Sequence, residues 1–148
     1  MKRHEALVQL SRDHHFGLLL CWKLKQGINK EISAERMATY IQLFFNHNLY
    51  PHFKEEEETI FLILGNTHPL IAEALQEHAI MREMVAEGFT EITQIQNFRD
   101  LLETHIRKEE RQIFPEIERQ ATDRQLQKIM ALDYPALKEP DFSDEFWK

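Results

Sequence analysis

The sequence predicts an all-α protein: an up-down-up-down four-helix bundle followed by a short fifth helix and an irregular C-terminal tail. Three observations carry this. Apolar residues recur at steps of three and four through most of the first 119 residues, the period of a helix that buries one side. Gly and Pro are scarce, at four and five of 148 residues, and most of them fall between or near the ends of the periodic segments. The links near residues 27 to 33, 65 to 68 and 88 to 91 are short, and short links set neighbouring helices antiparallel. A chain of 148 residues fits one domain, residues 1–148, with the bundle over about 4–119 and the short helix and tail over 120–148.

The first helix is expected from Glu5 to about Lys25, with Leu7, Leu10, His14, Leu18, Cys21 and Leu24 on one face and Gly27 as its stop. Ser33 can cap the second, whose stripe runs through Met37, Ile41, Phe44, Phe45, Leu49, Phe53 and Ile60 to a left-handed end at Gly65, with a bend at Pro51. Thr67 or His68 precedes Pro69, a first-turn proline, and the third helix follows through Ile71, Leu75, His78, Val85 and Phe89. Gly88 weakens its end, and a tight connection is expected near Thr90. The fourth carries Ile95, Phe98, Leu102, His105, Glu109 and Phe114, with Pro115 kinking or ending it. Thr122 with Gln125 reads as a capping box opening a fifth helix to about Leu132, broken by Asp133-Tyr134-Pro135.

Composition narrows the function classes. Hydrophobic residues make up 43% and charged residues 29%, a folded and not a disordered chain. The formal net charge is -7 with no dense basic patch, which leaves nucleic-acid phosphates little to bind. The lone Cys21 cannot form an intrachain disulfide and the N-terminus has no apolar signal stretch, so a cytoplasmic protein is expected. The longest apolar runs, Leu18 to Trp22 and Ile60 to Leu64, are five residues each, against the roughly 20 that span a bilayer.

The chemistry lies in the histidines and glutamates. HFKEEEETIF sets His52 and Glu56 four residues apart, and HIRKEERQIF repeats the spacing with His105 and Glu109, so each pair projects from one helix face about a turn apart. Spacing alone does not single them out: with 19 Glu in 148 residues, eight histidines give about one such pair by chance. Placement does. His14 and His78 fall on the apolar stripes of the first and third helices, so each of the four helices sends one histidine inward. Four imidazoles and two carboxylates in an apolar core cost several kcal/mol each without a compensator, and a metal centre is one. If each Glu bridges two cations and each cation takes two His, every metal has four protein bonds and positions left open. Imidazole and carboxylate without thiolate suit iron, manganese or zinc.

RDHHFG, PHFKEEE, QEHAIMR and HIRKEERQIFPEIE resemble the hemerythrin-like, HHE cation-binding family over roughly residues 4 to 119. The family's pattern falls on His14, His52, Glu56, His78, His105 and Glu109 as metal ligands. The resemblance implies two iron ions, oxo- or hydroxo-bridged, that meet dioxygen, peroxide or nitric oxide for sensing or scavenging. Whether the protein turns over as an enzyme is left open. The oxygen carriers of that family have a second histidine one turn after the third-helix ligand, where this chain has Arg82, and an Asp at a five-residue spacing where this chain has Glu109. These departures argue against simple oxygen carriage. Alternatives are an iron-storing or iron-donating module related to iron-sulfur cluster repair, whose relatives often carry an extra N-terminal cysteine-containing domain, and a zinc-binding or structural helical protein.

Other residues have plainer readings. His15 points about 100° away from His14 round the helix. His47 could turn inward as an extra ligand only if Pro51 bends the helix. His4 and His68 read as exposed or capping residues and Cys21 as a small buried hydrophobe. Phe44, Phe45, Phe53, Phe61 and Phe114 are core, and some of them could wall off the metals. In the tail, Phe142, Phe146 and Trp147 fold back on the bundle or dock a partner.

Overall fold

The structure, a computed structural model, describes residues 2–132, 134 and 136–148. Its helices are α1 (Val8–Asn29), α2 (Ala34–Phe44), α3 (Tyr50–Glu58), α4 (Phe61–Leu64), α5 (Pro69–Glu87), α6 (Ile92–Lys108), α7 (Phe114–Gln120) and α8 (Asp123–Met130). Two wide π-helical segments, Phe45–Leu49 and Glu109–Ile113, join α2 to α3 and α6 to α7. The four arms of the bundle are therefore α1, α2 with α3, α5, and α6 with α7. Among the described residues there is no strand, and no helix is long and apolar enough to cross a membrane.

The helix starts follow local chemistry. Ser33 accepts the Arg36 N–H at the head of α2, and the Thr122–Gln125 capping box opens α8. His4 and His68 both cap, each accepting a backbone N–H two residues on through Nδ1. Pro69 takes the first turn of α5, and a second capping box, Glu91 with Gln94, starts α6.

Three expectations about helix ends need correction. Gly27 does not stop α1, which runs on to Asn29. The stop is Glu31, at φ 58°, with the Ile32 N–H bonded to the Gly27 carbonyl at 2.9 Å and the Glu31 N–H to that of Ile28 at 3.1 Å, a Schellman motif. Pro51 and Pro115 do not simply kink or end their helices. Each follows a wide turn in which the preceding residue, Tyr50 or Phe114, bonds five residues back to Phe45 or Glu109, giving the ring the space a tight α-turn denies it. The second arm is interrupted at Thr59, ahead of the four-residue α4. Gly65 ends α4 with φ +89° and an extended ψ of 153°, so it is not a left-handed helical residue. Helix α8 ends at Met130, and in the expected break after Leu132, Asp133 and Pro135 lie outside the described residues.

Buried apolar side chains form two clusters. One gathers Leu20, Leu24, Met37, Phe44, Met81, Phe98 and Leu102 with their neighbours. The other gathers Leu7, Leu10, Ile60, Phe61, Ile71, Ile113 and Phe114. The C-terminal residues pack onto the first cluster: Phe146 is buried against Gly27 and Tyr40, and Trp147 covers the Lys23 ammonium at 3.9 Å. Lys23 also reaches Glu139 at 3.1 Å, and Arg36 grips Asp144. The tail thus folds back on the bundle.

Candidate metal centre

Each arm presents its charged and imidazole residues at one level. Helix α1 brings Asp13 and His14, α3 brings His52, Glu56 and Glu57, α5 brings Glu77 and His78, and the last arm brings His105, Glu109 and Glu110. In α3, His52 and Glu56 lie one turn apart, with Nε2 of the one 3.2 Å from Oε2 of the other. His105 Nε2 lies 3.0 Å from Oε1 of Glu109, the first residue of the second π segment.

All six residues singled out in the sequence meet at the bundle centre, and none is more than 4% exposed. They form two overlapping quartets: His14, His52, Glu56 and Glu109, and His78, His105, Glu56 and Glu109, with the donor atoms of each quartet within 4.8 Å of one another. The two carboxylates are common to both. Glu56 turns Oε2 to His52 and His14, at 3.2 and 3.7 Å, and Oε1 to His78 at 3.2 Å. Glu109 Oε1 faces His105 at 3.0 Å and His14 at 3.3 Å.

Every one of the four imidazoles turns Nε2 to the centre and Nδ1 to another carboxylate. His14 Nδ1 meets Glu110 at 3.1 Å, His52 meets Asp13 at 3.3 Å, His78 meets Glu57 at 2.7 Å and His105 meets Glu77 at 2.8 Å. These contacts close a ring round the bundle: α1 serves α3, α3 serves α5, α5 serves α6, and the last arm serves α1. Sequence reasoning missed all four outer carboxylates. Their only signal is that each is the chain neighbour of a central residue, Asp13 of His14, Glu57 of Glu56, Glu77 of His78 and Glu110 of Glu109.

The outer contacts decide where the protons sit. A carboxylate only accepts, so each imidazole donates from Nδ1, and Nε2 is left as the inward nitrogen that a cation takes once any second proton is displaced. Burial would push Glu57, Glu77 and Glu110 up, but the imidazole and cation or hydroxyl contacts outweigh it and hold all three below the usual carboxylate range. Burial likewise opposes the charge on Glu56, yet the surrounding His52, Glu109 and His14 contacts bring it well below that range. Burial pulls His52 and His105 down, while the charges of Glu56 and Glu109 and the hydrogen bonds lift each to about 9.

A cation fits this arrangement. His14 Nε2, His52 Nε2 and both oxygens of Glu56 and Glu109 are buried without hydrogen-bond partners. The His78 and His105 Nε2 atoms are in hydrogen-bond contact at 3.1 Å, close enough for one cation to take both in place of the shared proton. Buried polar atoms are normally satisfied, and a ligated metal is the partner that suits acceptors of this kind.

Around this centre, Phe53 stacks on His78 at 3.9 Å, Phe61 lies over the same ring at 5.6 Å, and Phe114 stacks on His14 at 5.3 Å. Phe44 and Phe45 belong to the first apolar cluster. His15 and His47 are exposed, His47 contacting the Leu43 carbonyl through Nδ1, so the inward turn considered for it does not occur. Arg82 clamps Glu57 with contacts of 2.9 and 3.1 Å and so orients an outer carboxylate. Cys21 is buried, and that burial pushes its thiol up to about 12.

The family model of the Hemerythrin HHE cation binding domain matches residues 2–117 of the chain. Neither a curated protein nor a solved structure matches it significantly.

Proposed function

The chain belongs to the hemerythrin HHE cation-binding family, and from that premise we propose that it holds two iron ions and meets dioxygen, peroxide or nitric oxide for sensing or scavenging. His14 and His52 would hold one ion and His78 and His105 the other, with Glu56 and Glu109 within reach of both. The observation that carries this is the pair of buried quartets, in which His14 Nε2, His52 Nε2 and all four Glu56 and Glu109 oxygens have no well-aligned hydrogen-bond partner among the described residues. Two histidines and two shared carboxylates leave each ion short of six ligands, so a small molecule has a place to bind.

When bound, such an iron pair supplies electrons to a small oxidant. The chain's own part is positional. The outer carboxylates hold the imidazole protons on Nδ1 and aim Nε2 inward. Phe53, Phe61 and Phe114 press on the imidazole faces and keep bulk water away.

The test is metal analysis of protein purified without an affinity tag, followed by anaerobic loading with ferrous iron and exposure to air. Two irons per chain and new near-ultraviolet absorption on exposure are expected. Two bound irons with a featureless spectrum would rule out the redox reading, and zinc alone in the purified protein would favour the structural one.

A further inference from the structure

We propose that the two metal positions differ in lability: the His78–His105 position is locked, and the His14–His52 position exchanges its ion through Asp13 and Glu55. The inference rests on the two-metal reading above and adds a path and an order to it.

The outer carboxylates differ in how firmly they are held. Behind His78 and His105, Glu57 and Glu77 sit at 2.7 and 2.8 Å. Each is fixed from outside by a cation: Arg82 grips Glu57 with two nitrogens, and Lys108 lies 2.8 Å from Glu77. Both imidazoles are wholly buried, under Phe53 and Phe61 in the case of His78. A clamped carboxylate keeps its imidazole aimed when the metal leaves, so the metal returns before the site relaxes.

Behind His14 and His52 the contacts are longer, 3.1 and 3.3 Å. The Glu110 carboxylate is held by the Ser11 hydroxyl, with Arg3 Nη2 3.8 Å from it and bonded instead to the Glu110 backbone carbonyl at 2.9 Å. Asp13 has the neutral Gln9 amide at 3.1 Å and, among the described residues, no Lys or Arg in ion-pair contact. Its remaining neighbour is acidic. Asp13, His52 and Glu55 bring donor atoms within 4.8 Å of one another, a third group able to touch a cation. Glu55 is half-buried, and its Oε2 is a buried oxygen without a partner. A chain of oxygens therefore leads from the partly exposed Glu55 through Asp13 to His52. Glu57 and Glu77 offer no such route, because their charges are already paired.

The test loads the metal-free protein anaerobically with two equivalents of ferrous iron and follows release to a chromogenic chelator. Two phases of equal size are expected, separated about tenfold to a hundredfold in rate, the range over which outer partners change metal binding. Glu55→Gln should slow the fast phase and leave the slow one unchanged. Arg82→Gln should move the slow equivalent toward the fast rate, with unchanged helicity by circular dichroism. Release of both irons in one phase, or both rates unmoved in Glu55→Gln, would overturn the proposal while leaving the two-iron centre standing. Failure to bind two irons would instead refute the underlying function.

Discussion

Glu77 follows Gln76 and precedes His78 in the chain, yet it serves His105 on another helix at 2.8 Å. Replacing it with Gln keeps an acceptor for the Nδ1–H and removes the charge that strengthens the imidazole, so metal affinity should fall about 10- to 100-fold. A competitive metal titration with a circular dichroism control measures this, and an unchanged affinity would mean the outer carboxylates are only structural. The imidazoles also set a pH dependence. His52 and His105 rise to about 9 in the metal-free fold, from an ordinary 6.5. A raised pKa stabilises the fold fully below about 6.5, and that contribution is lost as pH climbs through about 9. Metal-free protein should therefore melt higher at pH 6 than at pH 9. Metal must displace the same protons, so its affinity should rise over this interval. Melts and titrations at both pH values check the two opposite slopes, and a higher melt of metal-free protein at pH 9 would contradict the first.

At the scale of the element, Gly27 is needed for space and not for a stop. A Cβ there would lie 2.6 Å from Met37 Sδ and 3.0 to 3.1 Å from the Phe146 ring. Gly27→Ala should cost about 1 to 3 kcal/mol through overpacking and loosen the tail first. A lower melting temperature with faster proteolysis between residues 136 and 148 is expected, and unchanged proteolysis would show the tail is held without Phe146. The same helix shows what a sequence can disclose. Ser33, Thr122 with Gln125, and His68 before Pro69 were legible, because a cap is a contact between near neighbours. The inward faces of His14, His78 and His105 were legible from the apolar stripe around them, and His52 from its four-residue spacing to Glu56. The end at Glu31 was hidden, since a left-handed non-glycine residue leaves no trace in composition. The π segments were half visible: Pro51 and Pro115 mark the place, but whether Tyr50 and Phe114 bond four or five residues back depends on packing against other arms. The outer carboxylates were hidden for the same reason. Glu57 reaches His78 and Asp13 reaches His52 only because of how the helices cross.

Taken as a whole, the molecule is two apolar clusters with a layer of imidazoles and carboxylates between them. That layer contains a histidine from every arm, and most of its inward atoms lack a well-aligned hydrogen-bond partner among the described residues. Buried groups of this kind stabilise poorly by themselves, and removing one partner leaves the others uncompensated. Metal should therefore act on all four arms at once. An ion present at a hundred times its dissociation constant adds about 2.7 kcal/mol, which at this chain length is about 5 to 10 °C in melting temperature. Stripping the metal with a chelator at neutral pH should lower the melt by at least that much. Amide exchange should then speed up around His14, His52, His78 and His105 together, while amides near Leu24 and Phe98, deep in one cluster, change least. Faster exchange confined to a single arm would mean the arms are held by their hydrocarbon alone. Replacing all six central residues with Leu or Met separates the two roles of the layer: with the outer carboxylates also made neutral, the bundle should keep its helicity and bind no metal. Collapse of that variant would show that the polar layer specifies the fold as well as the site.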